Sequence, residues 1–241
     1  RYSGFGNDAV GHLSYFYLIS YILKNNLKKI NFNKVLLISV FIFINKPMLG
    51  LVFFITLVIF LIKNNFKLIK ILNPIFSLPT FLLCLWLIKN IIISGCIIFP
   101  IKALCVEKLS WTNVQRISES QVEGEAWSKA WPDKIDTNIS MEEFSKDFNW
   151  LSAWSKKHLN YILNIVIPYI IILSLIIFYI RSKFRNSMIV INKDLKIRFA
   201  LCLTTSLMGL VAFFYIFPLY RYGYSYIISS IALLFLVMIK N

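Results

Sequence analysis

Asp8 and His12 stand four residues apart in Gly4-Phe-Gly-Asn-Asp-Ala-Val-Gly-His12. If a helix begins near Asn7, both lie on one face at its first turn. Two readings stay open. Asp8 caps the helix, where the dipole favours a carboxylate, and His12 hydrogen-bonds to it. Alternatively the two form a carboxylate–imidazole pair that moves a proton. A second constellation is Pro218-Leu-Tyr-Arg-Tyr-Gly-Tyr-Ser-Tyr226, with Arg221 set among Tyr222 and Tyr224. It reads either as an aromatic belt with a snorkelling arginine or as a forked donor for a phosphate or diphosphate. Lys46, before Pro47, and Lys89 are single cations at the ends of apolar runs. They either snorkel to the interface or join Arg221 in holding an anion.

The stretch from Ser94 to His158 is different in kind. It holds nine of the eleven acidic residues and five of the six tryptophans, Trp111, Trp127, Trp131, Trp150 and Trp154. These tryptophans anchor a loop to a membrane surface, or some of them shape a substrate groove. Ser140-Met-Glu-Glu143 has the pattern of a capping box. The helix it opens is expected to place Phe144, Phe148, Leu151 and Ser155 on one face, lying in the interface. Cys96 and Cys105, nine residues apart, could pair in an oxidising compartment or remain free. The sequence offers no CxxC, His/Cys cluster, phosphate-binding loop or nucleophile elbow, so neither a metal nor a cofactor is argued.

These residues must be positioned by apolar elements. The chain is 58% hydrophobic, 16% aromatic and 15% charged, against about 25% charged in soluble domains. Leu159–Ile180, Phe199–Tyr220, Tyr222–Ile239 and Ile71–Ile88 are long enough to cross a bilayer. Ala9–Leu23 is a shorter candidate. Pro47 splits the next run into Val35–Asn45 and Met48–Ile62. The expected fold is therefore an all-α polytopic membrane bundle of about seven segments with a helical external loop. Residues 1–93 carry four segments, 94–158 form the loop and 159–241 carry three. Basic residues concentrate in Lys24–Lys34, Lys63–Lys70 and Arg181–Arg198, which supply +12 of the net +15. The positive-inside rule makes those connectors cytoplasmic and the long loop periplasmic. Charge then reports topology and excludes nucleic acid as the natural partner. Heavy use of Ile, Asn and Lys suggests an AT-rich bacterial genome, and Arg1 suggests a piece of a longer protein.

Four motifs occur in order: Arg1-Tyr-Ser-Gly-Phe-Gly-Asn-Asp8 with Gly11-His12; Lys89-Asn-Ile-Ile-Ile-Ser-Gly95 with Phe99-Pro100; Trp127-Ser-Lys-Ala-Trp131-Pro132; and Tyr220-Arg-Tyr-Gly-Tyr224. The arrangement resembles bacterial polytopic proteins of surface-polysaccharide loci, which in turn resemble the C-type membrane glycosyltransferases. The resemblance implies transfer of a sugar from a polyprenyl-phosphate donor to a glycan or lipid acceptor at the periplasmic face of the inner membrane. In such enzymes an acid in the first external loop is the base, and that loop would lie upstream of Arg1. The chemistry of an inverting transfer, which needs a base for the acceptor hydroxyl and cations for the departing phosphate, is separately consistent with Asp8 as the base, oriented by His12. Arg221, with Lys46 or Lys89, would hold the phosphate, and Trp111, Trp127 and Trp131 would stack on sugars. A flippase for a lipid-linked saccharide and a non-catalytic scaffold of envelope assembly are the rival classes.

Overall fold

The computed structural model describes residues 8–64, 77–136, 138–183 and 192–240. The Arg1–Asn7 motif, Lys67, Lys70 and the start of the Ile71–Ile88 run lie outside them. Every extended element among the described residues is helical. In chain order these are α1 (Asp8–Lys24), α2 (Phe32–Asn45), α3 (Val52–Lys63), α4 (Leu78–Ser94), α5 (Val114–Ser128), α6 (Met141–Ser145), α7 (Leu151–Trp154), α8 (Asn160–Lys183), α9 (Lys193–Ile216) and α10 (Tyr220–Lys240).

The apolar run from Val35 does break at Lys46-Pro47. Lys46 leaves helical geometry as the α2 C-cap, and Pro47 opens a single 3-10 turn where its missing N–H costs nothing. The chain reverses there, and α3 returns alongside α2. Gly95, in the left-handed region at φ 75°, ends α4.

The expectation of about seven membrane segments is overturned. Among the described residues, two helical stretches are long and apolar enough to cross: Leu151–Lys183, which runs through α7 and α8, and Lys193–Ile216. The reason is length. At 1.5 Å per residue, the 14 residues of α2 and the 17 of α1 and α4 reach roughly 21–26 Å, short of a core about 30 Å thick. The first half of α10 is rich in Tyr and Ser.

The main core lies where α1, α2, α3, α9 and α10 meet. Tyr15, Leu18, Ile22, Ile42, Ile55, Cys202, Tyr226 and Leu233 are fully or almost fully buried there. Short polar links cross it. Tyr15 Oη lies 3.0 Å from Ser206 Oγ, which accepts from Ser229 Oγ at 2.9 Å, and Ser39 pairs with Thr56 at 2.8 Å. Such hydroxyl pairs satisfy groups that would otherwise be stranded in an apolar interior.

Two basic residues of the described connectors, Lys63 and Arg198, sit at one end of this bundle. Arg198 donates to the Leu23 and Ile22 carbonyls at the α1 C-terminus, while its Nε holds Asp194 at 2.8 Å. Lys63 Nζ donates to the Ile30 carbonyl at 2.6 Å. Positive charge on the last carbonyls of a helix is favoured by its dipole. Asp8 begins α1 at the other end.

The loop has its own small core of Ala130, Phe144, Trp150, Ala153 and Trp154, docked on Ile162 and Phe214. Here too an expectation fails. Ser140 Oγ does accept from the Glu143 N–H at 3.2 Å, but the helix it caps ends at Ser145. Asp147 and Phe148 adopt left-handed backbone, φ 49° and 61°, so no continuous face joins Phe144 to Ser155. Trp150 and Trp154 fill the loop core and do not lie at its surface. Cys96 and Cys105 are joined by a disulfide that closes a hairpin, with Ile97 N–H to Leu104 O and Val106 N–H to Gly95 O both at 2.8 Å.

Candidate functional site

The first turn of α1, the α2–α3 reversal and the first turn of α10 converge. Lys46 Nζ lies 2.8 Å from Asp8 Oδ1 and donates at 2.8 Å to the Arg221 carbonyl. That same carbonyl accepts from His12 Nε2 at 2.8 Å. A carbonyl cannot donate, so Nε2 carries a proton. His12 Nδ1 lies 2.6 Å from Ser225 Oγ. The Lys46 ammonium sits 5.0 Å from the centre of the Tyr222 ring, whose face also meets the Arg221 guanidinium at 5.3 Å. Tyr224 meets the His12 ring edge-on at 5.6 Å.

Local sequence explains how these groups come together. Gly11 leaves room for the lysine: a Cβ there would stand 3.1 Å from Lys46 Cβ. Arg221, Ser225 and Ser229 repeat every four residues, so they follow one face of α10. That period inside an apolar helix is the signal that would have singled out Ser225, which the residue types alone did not.

The electrostatics are uneven. The Lys46 side chain is 3% exposed and the Asp8 side chain 28%. Burial lowers the Lys46 pKa below the ordinary 10.5, and the hydrogen bond that Lys46 donates to Asp8 opposes that shift. One buried cation is therefore balanced by one partly wetted carboxylate and one backbone carbonyl, which it shares with His12.

Six of the sequence-selected residues thus meet: Asp8, His12, Lys46, Arg221, Tyr222 and Tyr224. One proposed relationship is corrected. Asp8 is held by Lys46, while His12 holds Arg221 and Ser225. The other four residues are not among the cluster's contacts. Lys89 is exposed on α4. Trp111 Nε1 donates to the Ile91 carbonyl at 3.1 Å, Trp127 is exposed on α5, and Trp131 packs edge-on to Phe144 with Lys134 over its face. Trp131 alone among them packs against the loop's own core. Among the described residues no group of three or more His, Cys, Asp or Glu side chains could hold a metal.

Fold and site together define a helical protein with apolar outer helices and a lysine-centred polar cluster closing one end of its bundle. The family described as a domain of unknown function, DUF8201, matches residues 8–228, and the chain belongs to that family. No curated protein and no solved structure matches it.

Proposed function

We propose that this is an integral membrane protein of the bacterial inner membrane, anchored through α8 and α9, and that its lysine-centred cluster acts in sugar transfer from a polyprenyl-phosphate donor. Support for membrane residence comes from α8. It has no buried residue, and Phe178 is 75% exposed although its neighbours are Ile and Tyr. A core helix of a soluble protein would bury one face, and an apolar surface this long is costly in water. The basic Arg181–Arg198 connector between α8 and α9 then faces the cytoplasm, and the disulfide-bearing loop that precedes α8 faces an oxidising periplasm.

The observation that carries the transfer reading is the convergence of Asp8, Lys46 and Arg221 from three separate elements at the end of the bundle away from the basic connectors. Asp8 takes the proton of the acceptor hydroxyl as that oxygen attacks the sugar. The bond from the sugar carbon to the phosphate oxygen breaks, and Arg221 stabilises the charge left on the phosphate. Lys46 orients Asp8. His12 fixes the backbone under Arg221 and takes no proton from the acceptor. The reading agrees with the resemblance to C-type glycosyltransferases carried by the Tyr220-Arg-Tyr-Gly-Tyr224 segment.

A second reading is favoured by one feature. The Lys46 ammonium already has Asp8 and the Arg221 carbonyl as partners, so the cluster can staple α1, α2 and α10 without any ligand. A scaffold of envelope assembly would need no more than that.

Proteoliposomes separate the two readings. The protein is expected to consume a polyprenyl-phosphate-linked sugar, and Arg221→Ala to lose turnover while still floating with the vesicles. Glycan product formed by Arg221→Ala at the wild-type rate would overturn the transfer reading. A cysteine placed at Ser187 that reacted with an impermeant maleimide outside intact cells would overturn the sidedness.

A further inference from the structure

A cleft of about 300 Å3 opens between α5, the turn after α6 and the last turn of α9, within the size range of small-molecule sites. Trp150 forms its floor, almost fully buried, and the aromatic wall continues through Phe148 to Tyr215. The Phe148 ring meets Trp150 at 5.8 Å and Tyr215 edge-on at 6.3 Å. Tyr215 is 68% exposed.

The polar side of the cleft is neutral as a whole. Glu125 pairs with Lys129, whose ammonium also donates to the Ser145 carbonyl at 2.9 Å and lies over the Trp150 ring. Lys146 and Asp147 add one charge of each sign. The turn carrying these groups holds two consecutive non-glycine residues in left-handed backbone. Such conformations persist where the surroundings enforce them, often at ligand sites.

We infer that this cleft binds an uncharged saccharide unit. A sugar ring offers an apolar C–H face to Tyr215 and Phe148, and hydroxyls that both donate and accept. The donors would meet the Glu125 and Asp147 carboxylates, and the acceptors Lys129 and Lys146. A phosphate finds no net positive charge here, and a purely apolar ligand would leave the charged side of the cleft unmatched. The site lies apart from the Asp8–Lys46 cluster but is tied to it: Trp154, next to Trp150 in the loop core, donates Nε1–H to the Pro218 carbonyl at 2.6 Å, three residues before Arg221. The inference shares with the transfer reading only the class of ligand, and binding is measured without any donor, so either can fail alone.

The test is ligand titration of the protein in nanodiscs, read by tryptophan fluorescence and by saturation-transfer NMR. The probes are D-glucose, D-galactose, N-acetylglucosamine and lactose, with phosphoethanolamine as a zwitterionic headgroup. At least one sugar is expected to saturate. Tyr215→Ala should weaken it about tenfold or more, and Tyr215→Phe, which keeps the ring face, by no more than about twofold. Ile135→Ala, at an exposed position of the loop that does not line the cleft, should leave it unchanged. No saturation by any sugar, wild-type affinity in Tyr215→Ala, or saturation by phosphoethanolamine alone would overturn the inference.

Discussion

The Lys46 ammonium, 3% exposed, stands 2.8 Å from the Asp8 carboxylate, which water still reaches. The pair is asymmetric, and its two halves will not respond alike to mutation. Asp8→Asn leaves a buried ammonium without its counter-ion and is expected to cost about 2–4 kcal/mol. Lys46→Met leaves a carboxylate that water can solvate and fills the space with apolar atoms, so it should cost less. Thermal unfolding in one detergent ranks the two. Equal losses would contradict the asymmetry.

The same lysine gives a pH dependence. Its folded pKa is lowered, so between that value and the unfolded value near 10.5 the unfolded chain binds more protons than the folded one. The contribution of Lys46 to stability should therefore rise with pH as 10.5 is approached and be diminished below the folded pKa. Wild type minus Lys46→Met, measured by chemical denaturation at several alkaline pH values, isolates it. A difference that shrinks with rising pH would have the wrong sign.

His12 and Ser225 are 213 residues apart in sequence and 2.6 Å apart in space. Ser225→Ala strands a buried ring nitrogen, at a cost of about 1–3 kcal/mol. A cycle of Ser225→Ala, His12→Phe and the double variant should return a coupling of about 1–2 kcal/mol. Additive losses would mean that the two side chains do not share a hydrogen bond.

Two glycines let α9 and α10 touch. A Cβ on Gly209 would stand 2.2 Å from the Tyr226 ring, and one on Gly223 would stand 2.5 Å from the Phe213 ring. Gly209→Ala and Gly223→Ala should each cost about 1–3 kcal/mol through overpacking. Gly124 in α5 has its nearest neighbour at 4.0 Å, so Gly124→Ala should be neutral or gain up to about 1 kcal/mol. Melting temperatures of the three variants decide the matter.

The four cysteines sort by environment. Alkylation of the native protein should label Cys84, which is exposed, and spare Cys202, which is buried. Unfolding without reductant adds Cys202, and reduction adds Cys96 and Cys105. Intact mass after each step counts the adducts. Four adducts without reductant would rule out the disulfide.

What the chain states locally was legible in advance. Helical periodicity, the break at Lys46-Pro47, the Ser140 cap and the shared face of Asp8 and His12 each depend on neighbours within one or two turns. Tertiary structure decided the rest. Hydropathy counted apolar runs but not where helices end, so seven expected segments became two long enough to cross. Asp8 was paired in the sequence with His12 because four residues make them neighbours on a helix. In the fold, Lys46 takes the carboxylate and Arg221 and Ser225 take the imidazole, because α2 and α10 close on α1 at that turn. Trp150 was placed at a surface by its residue type, yet two left-handed residues turn the chain inward and bury it. Residue type and spacing specify what a side chain can do. Only the packing of distant helices specifies which partner reaches it first and whether water remains.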